Sequence, residues 1–409
     1  MIKNFYNFAK NTLYPINRSI TGEGTKRTLR LIKIKIPQLK IKKISCGNRV
    51  FDWKIPDEWN ISDAYVLDKD NNRIINFKDN NLHVVGYSKP VNKWVNKDTL
   101  FKKLHSNKKI PNAIPYLTSY YKRDWGFCIE ENKKKELKKK YSNKDKFFVK
   151  IDSIFNKNGN LNYGEVVIRG VSKKEILIST YICHPSMANN ELSGPLVSML
   201  LIDHFKKRKL NKTMRFIFIP ETIGSIAYIN TNYKELKKNV IGGFNLTCIG
   251  DNRMHSCMLS KNKRSPSDKA VLDAYKKLQI KNYKIHSFLK NGSDERQYNS
   301  PGVDLNITSI FRSKYGDFKE YHSSLDDFKL VTITGIKGGF NVAKKSIDNL
   351  QRYIIPKNRN ICEIFLENKN LDTFLKKSKM VRRDVLNFMQ YSDGLNTLND
   401  ISKEIKLGY

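Results

Sequence analysis

The sequence predicts an α/β protein with a doubly wound mixed sheet, a small β-rich insert and a short helical C-terminal segment. Three observations lead to this prediction. Apolar strands alternate with helices from about residue 147 to residue 348, short alternating runs separated by turn residues fill the preceding hundred residues, and two helices close the chain. Near-continuous apolar strands that alternate with helices are typical of a sheet covered on both faces.

This pattern divides the chain into three predicted parts. Residues 1–37 and 132–352 form a discontinuous α/β domain, residues 38–131 form the inserted β-rich domain, and residues 353–409 form the tail. Within the main domain, buried strands are expected at 175–180, 215–219, 240–249 and 304–310, and helices near Thr25 and at Ser193–Phe205 and Ser267–Leu278. Ligands of doubly wound sheets bind beyond the carboxyl ends of the strands, so the polar residues that follow these strands are the candidates for a site.

The insert contains all four tryptophans of the chain, Trp53, Trp59, Trp94 and Trp125. Its short runs alternate apolar and polar residues between Asp, Asn, Gly and Pro turns, which indicates strands. We expect the four indoles to form the core of the insert rather than a surface on which a ligand stacks.

The tail predicts helices at Val381–Gln390 and Thr397–Lys406, joined by a capped turn. Two helices joined in this way resemble the opening of a winged-helix or helix-turn-helix unit. The chain ends where a recognition helix would begin, so a truncated winged helix and a simple helical hairpin both fit the tail.

The formal net charge is +37, from 76 Lys and Arg against 39 Asp and Glu. A balance this basic occurs in proteins that bind nucleic acid or anionic surfaces. Here, however, Lys, Asn and Ile are spread along the whole chain, as an AT-biased coding sequence produces, and runs such as Lys133–Lys140 fall in predicted surface helices. We therefore expect nucleic-acid binding not to be the function.

The sequence also gives an expectation for the cellular compartment of the protein. No stretch approaches the roughly 18 apolar residues needed to span a bilayer, and the first residues lack the apolar run of a signal peptide. The six cysteines include no Cys-x-x-Cys pair, which supports neither a zinc ribbon nor a disulfide framework. These features predict a soluble cytoplasmic protein in a reducing compartment, and its oligomeric state is left open.

Three polar segments follow predicted strands. His184 comes first, in a loop that also contains Asn190 and Glu191, Glu221 comes next, and His322 lies in the last loop. Neutral imidazole is the commonest metal-ligand side chain, and carboxylate oxygens can complete a zinc shell. A desolvated Glu can have a raised pKa and take a proton from a metal-bound water. The order of these residues predicts a metal-dependent site.

The segments resemble the two-zinc aminopeptidases, in which a His after a strand is followed by Gly-Ala-Asn-Asp-Asn-x-Ser-Gly, Glu-Glu-x-Gly, Asn-Leu-Asp, Ser-Asp-His and His-x-x-x-Asp. More closely, the chain resembles bacterial aminopeptidase-like proteins that are often encoded in polysaccharide-biosynthesis gene clusters and carry an inserted β domain and a C-terminal winged helix. The matching segments are Tyr14–Gly24, Phe51–Trp53 with Pro56 and Trp59, Cys183–Gly194, Pro220–Ser225, Gly292–Tyr298 and Arg312–Gly316.

The resemblance implies that His184 and His322 are the first and last zinc ligands and that Glu221 is the general base. The sequence also departs from the two-zinc pattern, because neutral or different residues stand at expected ligand positions: Asn190, Thr222 and Thr247 replace carboxylates, and Glu295 replaces the His after Asp294. The resemblance therefore implies one zinc ion rather than two. Its third ligand is left open among Glu191, Glu221, Asp251 and Asp294.

What the resemblance implies about function is a metal-dependent hydrolase that cleaves an amide or peptide bond, in a peptide or in a sugar precursor for a surface polysaccharide. The partner is then a small-molecule or peptide substrate. Candidate substrate-binding residues are Asn190, Glu295, Arg296, Arg312, Tyr321 and Arg18. The alternative is a peptidase-like scaffold that has lost catalysis and binds a ligand, and a DNA-binding regulator is less favoured because the tail ends early.

Overall fold

The computed structural model describes residues 1–290, 292–366 and 381–407. In chain order the strands are β1 (Lys40–Ser45), β2 (Arg49–Val50), β3 (Trp53–Lys54), β4 (Glu58–Leu67), β5 (Arg73–Asn76), β6 (Val91–Asn96), β7 (Leu104–His105), β8 (Phe127–Cys128), β9 (Lys146–Asn156), β10 (Asn160–Ile168), β11 (Ser172–Tyr181), β12 (Lys212–Ile219), β13 (Val240–Leu246), β14 (His255–Met258), β15 (Tyr283–His286) and β16 (Ile307–Phe311).

The helices cover both ends of the chain and the segments between the strands. They are α1 (Ile2–Phe8), α2 (Glu23–Lys35), α3 (Lys97–Lys102), α4 (Glu131–Lys140), α5 (Ser193–Phe205), α6 (Ile223–Asn239), α7 (Pro266–Lys277), α8 (Asp294–Tyr298), α9 (Ile333–Arg352), α10 (Arg382–Tyr391) and α11 (Leu398–Glu404). A π-helical turn at Ala188–Leu192 leads directly into α5.

One large sheet forms the centre of the molecule, with the strand order β1-β10-β12-β11-β13-β16-β14-β15. Strands β12, β11, β13 and β16 are parallel, and β10 and β14 join this core antiparallel. The predicted α/β class with a mixed sheet is confirmed.

Both faces of the sheet are covered, because side chains alternate along a strand. In β11, Ile176 and Ile178 belong to the apolar cluster that includes α5, whereas Leu177 belongs to the cluster that includes α6. A strand that is buried on both faces carries the near-continuous apolar run seen in the sequence.

The chain reverses its direction across the sheet at β11. The connection through α5 places β12 on one side of β11, and the connection through α6 places β13 on the other side. Ligand sites of doubly wound sheets form at such a reversal, beyond the carboxyl ends of the strands. The end of β11, three residues before His184, is therefore where this fold is expected to bind a ligand.

A second, four-stranded sheet has the order β5-β4-β9-β6. It draws β9 from outside residues 38–131, and β1 inside that range pairs with the large sheet. The two sheets therefore do not divide at residues 38 and 131, and the domain boundaries there stay a prediction.

The prediction that all four tryptophans are core residues is wrong for two of them. Trp59 and Trp125 are buried, but Trp53 is 43% exposed and Trp94 is 50% exposed. Both exposed indoles lie on strands with a solvent-facing side, β3 and β6.

The C-terminal segment is helical, as expected. Helix α10 matches the predicted helix, and α11 begins after a capping box in which Thr397 and Asp400 satisfy each other's backbone N–H groups. The winged-helix interpretation stays a prediction, and residues 367–380 lie outside the described part of the chain. Among the described residues, none of the helices has both the length and the apolar character that crossing a membrane requires.

Candidate metal centre

Three candidate site residues lie in loops that follow parallel strands of the large sheet. His184 follows β11 and Glu221 follows β12, and the loop after β16 brings back His322. Carboxyl ends of neighbouring parallel strands meet at one edge of the sheet, so these residues converge although they are far apart in sequence.

His184 lies at the centre of the group. Its Nδ1 is 2.7 Å from Oε2 of Glu191, and its Nε2 is 3.5 Å from Oε2 of Glu221. The ring centres of His184 and His322 are 5.3 Å apart. Two imidazoles on one tetrahedral zinc, with Zn–N of about 2.0–2.1 Å, place their ring centres roughly 5 Å apart, so this spacing suits a shared ion.

The protonation of the two imidazoles differs. Burial and the neighbouring His184 lower the pKa of His322 to about 2, so His322 is neutral and its lone pair is free. Burial disfavours the protonated form of His184. The neighbouring Cys183 and Glu191 have the larger effect and raise the pKa of His184 well above its usual value. A cation bound here would displace that proton, as metal binding commonly does.

Two buried atoms of this group lack a hydrogen-bond partner among the described residues, Nε2 of His322 and Oε1 of Glu191. Buried polar atoms are nearly always satisfied. A zinc ion would satisfy both atoms, since neutral imidazole nitrogens and carboxylate oxygens are zinc ligands. The residues present therefore fit a metal.

Glu221 is the partly accessible carboxylate of the group, with its side chain one-quarter exposed. Burial raises its pKa, and His184 and Ser293 partly offset that effect. The Ser293 hydroxyl donates to Oε1 of Glu221, and the Tyr181 hydroxyl lies 2.5 Å from the Ser293 oxygen. Sequence reasoning missed Ser293 and Tyr181, although Ser293 directly precedes the predicted Asp294.

The insert contributes a wall of the site. The Tyr116 ring is 5.1 Å from the His184 ring and 5.2 Å from the His322 ring, in edge-to-face contact with both. The Tyr116 backbone N–H donates to the His322 carbonyl at 2.8 Å. The sequence carried no local signal for this contact, since Tyr116 lies in an irregular segment of the insert.

Comparison with known proteins decides the family. Residues 6–353 match the family described as a domain of unknown function, DUF4910. The chain belongs to the DUF4910 family. A Clostridium acetobutylicum protein named "Putative polysaccharide biosynthesis protein with aminopeptidase-like domain" is 41% identical to this DUF4910 chain over 345 residues, which cover 84% of the chain and 77% of the relative.

Solved structures share the fold. The crystal structure of a "putative peptidase" from Clostridium acetobutylicum superposes with a TM-score of 0.82 at 37% identity, covering 99% of this chain and 92% of that one. A zinc aminopeptidase from Bacillus subtilis gives 0.60 at 13% identity over 85% of this chain and 93% of its own. A peptidase M28 precursor from Shewanella amazonensis gives 0.58 at 10% over 86% and 96%. The DUF4910 chain therefore has an aminopeptidase-like fold.

The remaining candidate carboxylates in this DUF4910 protein accept hydrogen bonds from the loops of the site. Asp251 accepts from the backbone and hydroxyl of Ser313 and from the side-chain amide of Asn189. Asp294 accepts from the Thr222 N–H at 2.7 Å, and burial raises its pKa well above the usual value. Both carboxylates brace loops of the site. Oδ2 of Asp294 is buried without a hydrogen-bond partner among the described residues, so a ligand role for Asp294 stays a prediction.

Asp294 supports a strained turn. Thr222, immediately after Glu221, has φ of 61°, a conformation that β-branched residues rarely adopt. Asp294 stabilises this conformation by accepting hydrogen bonds from the Thr222 N–H and, at 3.0 Å, from the Ser225 hydroxyl. Strain of this kind persists where the surroundings over-determine the backbone, and it clusters at functional sites.

Cys183 is an unpredicted neighbour. Its Sγ, a nitrogen of His184 and an oxygen of Glu191 all lie within 4.8 Å of one another. Burial raises the pKa of Cys183 to about 11, and its sulfur accepts the Glu221 N–H at 3.3 Å. The thiolate is the metal-binding form, so zinc binding by Cys183 would require the ion to displace the thiol proton.

The loop that carries Glu191 is pinned by Asp326. This carboxylate accepts the N–H groups of Asn189 and Asn190 at 2.6 and 2.9 Å, and burial raises its pKa to about 7. Asn190, which precedes Glu191, is buried with its Nδ2 unpartnered among the described residues, which keeps it a candidate for substrate contact. Asp326 was not singled out, although the sequence shows two carboxylates shortly after His322.

Four further candidates for substrate contact have distinct positions. Tyr321 stacks on His322 with ring centres 3.8 Å apart. Glu295 is buried, where it accepts from the Tyr315 hydroxyl at 2.6 Å, and Arg312 donates to the Asp251 carbonyl at 2.9 Å. Arg296 donates to the Phe288 carbonyl at 3.4 Å on the exposed side of α8. Tyr321 alone among these four contacts a central histidine.

Arg18 supports His184 from behind. It is 1% exposed, and its Nε donates to the His184 carbonyl at 2.9 Å while Nη1 donates to the Leu13 carbonyl at 2.6 Å. This geometry positions the loop that carries His184. The buried Nη2 of Arg18 has no hydrogen-bond partner among the described residues, so substrate contact by Arg18 stays a prediction.

We expect Arg18→Ala to weaken metal binding by about 10–100-fold, the usual cost of losing a residue that orients a ligand. The measurement is zinc affinity by competition with a chelator of known affinity. Arg30→Ala is the matched control, since the Arg30 side chain is 63% exposed and pairs with exposed Glu23. Equal zinc affinity in Arg18→Ala and wild type would refute the positioning role.

Proposed function

We propose that this DUF4910 protein is a metal-dependent hydrolase of the aminopeptidase type that cleaves an amide bond. The observation that carries the proposal is the convergence of His184, His322, Glu191 and Glu221 at the reversal point of the sheet. Two of their buried ligand atoms have no partner in the described part of the chain. The aminopeptidase-like fold supports hydrolysis as the reaction class.

His184, His322 and Glu191 are the residues that would hold zinc. Two His and one Glu are a familiar ligand set for catalytic zinc, which keeps a fourth position open. A zinc ion supplies an activated water at neutral pH and polarises the scissile carbonyl. Arg18 and Asp326 fix the loops from which two of these ligands project.

One ion suits this chain better than two. The sequence has neutral Asn190, Thr222 and Thr247 where paired ions would need carboxylates. Thr247 is fully buried and donates its hydroxyl to the Asn190 carbonyl at 3.0 Å, which serves loop structure. Two adjacent dications would lack the negative charge that neutralises them.

Glu221 is the proposed general base. Its raised pKa brings its proton affinity closer to neutral pH, where general bases work best. Ser293 orients it by donating to Oε1, which leaves Oε2 facing the metal-binding group. Tyr116 and Tyr321 pack around the histidines and exclude water from the reacting centre.

We propose an amide in a surface-polysaccharide or sugar precursor, such as an N-acyl or aminoacyl group, because the Clostridium acetobutylicum relative is named for polysaccharide biosynthesis. The partner is then a small molecule.

The test of the metal site is zinc content per chain in protein purified without added metal. We expect about one zinc in wild type and loss of it in His184→Ala and His322→Ala. His105→Ala, in strand β7 of the insert, is the histidine control and should retain the ion. No zinc in wild type, and no uptake on titration, would rule out the metallohydrolase.

The second candidate is a peptidase-like scaffold that binds a ligand without catalysis. The neutral residues at positions 190, 222 and 247 favour it, because each removes a carboxylate that the two-zinc pattern uses. The zinc measurement separates the two candidates, since the scaffold predicts no stoichiometric metal.

A further inference from the structure

A cavity of about 360 Å³ lies between the hairpin β2–β3 and helices α6 and α8. Small-molecule sites usually have volumes of about 300–1,000 Å³. Its lining residues are Phe51, Asp52, Trp53, Ile226, Ile229, Gln297, Ser300, Pro301 and Val303. None of these residues has a role in the metal centre.

Two helices connect the cavity to the metal centre. Helix α6 begins two residues after Glu221 and rises about 1.5 Å per residue, so Ile226 and Ile229 lie roughly 5 and 9 Å from its first residue. Helix α8 begins directly after Ser293, which donates to Glu221, and carries Gln297 one turn later. The two helices that line the cavity therefore both begin at the metal centre.

The hairpin holds an aromatic ring in a strained turn. Val50 pairs with Trp53, so Phe51 and Asp52 form the two-residue connection, and Phe51 has φ of 52°. Gly or Asn usually takes such a position. Arg49 Nε donates to the Phe51 carbonyl at 3.1 Å, and Val50 is buried in the same cluster as Ile226. An anchored turn that keeps an exposed Phe where Gly is favoured indicates a ligand-facing role.

The aromatic rings around the cavity are open to solvent. Phe51 is 51% exposed, Trp53 is 43% exposed, and Tyr121, with its ring centre 6.3 Å from that of Trp53, is 53% exposed. Clustered exposed aromatic surface is typical of interaction sites. Flat indole and phenyl faces suit the C–H face of a pyranose ring, which also presents hydroxyls at its edge.

The charge of the cavity sets it apart from the rest of the molecule. The chain has 76 Lys and Arg, yet the lining contains neither and has one carboxylate, Asp52. Within the described segments, no protein group hydrogen-bonds to the side chains of Asp52 or Gln297. A carboxylate and an amide accept from and donate to hydroxyl groups, whereas a phosphate ligand would need cations.

We propose that this cavity is a saccharide subsite, in which a neutral sugar ring stacks on Trp53 and Phe51 and hydrogen-bonds to Asp52 and Gln297. That the sugar belongs to the substrate cleaved at Glu221 rests on the proposed function. Sugar binding itself needs no metal, so the two proposals fail separately.

The test is binding of the full chain to an array of bacterial surface glycans and their monosaccharides, N-acetylglucosamine among them, followed by titration of the best neutral glycan. We expect Trp53→Ala and Phe51→Gly to weaken its binding by about tenfold or more. Glycine accepts the positive φ at position 51, so this variant keeps the turn. Trp94→Ala removes an equally exposed indole away from the cavity and should bind as wild type does.

The outcomes are distinct. Neutral-glycan binding that is lost in the two cavity variants and survives metal removal by chelator supports the subsite, even if the zinc measurement fails. No neutral glycan bound by wild type at millimolar concentration, preference for phosphorylated glycans, or equal binding by Trp53→Ala would overturn it.

Discussion

Glu221→Gln is expected to lower the rate of amide hydrolysis by about 10²–10⁴-fold, the usual contribution of a general base, while zinc content stays at the wild-type level. The amide of Gln keeps the size of the side chain and its hydrogen bond with Ser293, but it cannot accept a proton at neutral pH. The effect should therefore appear in kcat more than in KM.

The same experiment separates the two carboxylates of the site. Glu191→Gln should lose zinc, because Glu191 is a proposed ligand and the partner of His184 Nδ1. Rates are measured on an aminoacyl 4-nitroanilide that wild type turns over, and Glu23→Gln is the control, since the Glu23 side chain is 56% exposed. If Glu221→Gln loses zinc and Glu191→Gln retains it, Glu221 is the ligand and Glu191 is the general base.

Arg215→Met is expected to lower the free energy of unfolding by about 3–5 kcal/mol, the cost of leaving buried charges without their partner. Arg215 on β12 bonds to Glu175 at 2.6 Å and to Glu165 at 2.7 Å, and all three side chains are at most 6% exposed. Methionine fills much of the volume but, within the described part of the chain, leaves buried Glu175 without a cation and Glu165 with Lys42 as its remaining cation.

The loss should depend on pH. Burial opposes ionisation of Glu165, but Lys42 and Arg215 outweigh it and hold its pKa below the usual value. A lowered carboxylate pKa stabilises the fold above the unfolded pKa of about 4, and that stability is lost as the pH falls through the folded value. The difference between Arg215→Met and wild type is therefore largest at neutral pH and narrows in acid.

Denaturant unfolding across this pH range measures the difference. Arg208→Met is the matched control, because Arg208 is half-exposed and pairs with Asp348 at 3.5 Å on the surface, where a pair contributes about 0–1 kcal/mol. A loss in Arg215→Met no larger than in this control would show that water or a neighbouring cation compensates the carboxylates.

The sequence predicted the central strands and helices well because burial leaves a strong pattern there. Helix α5 has the predicted bounds, and β11, β12 and β16 overlap their predicted ranges. The pattern is weak in the insert, where strands have one exposed face. There Trp53 and Trp94 were assigned to the core, since their size favours burial and a single sequence does not show which face of a strand meets water.

The candidate site was predictable where its residues directly follow strands, as His184 and Glu221 do. Asp251 lies later in the loop after β13 and Asp294 begins α8, and only their hydrogen bonds show that they brace loops. Tyr116 could not be predicted, because its contact with the histidines depends on how the insert docks. The bond from Arg18 to the His184 carbonyl could not be predicted either, since sequence does not give the direction of a side chain in an irregular turn.

The bond from the Tyr116 N–H to the His322 carbonyl joins segments that are far apart in the chain. Such a contact closes a large loop, which costs conformational entropy. The wall that Tyr116 forms beside both histidines therefore depends on docking of the insert. A chain whose insert has detached would leave His184 and His322 open to water on that side.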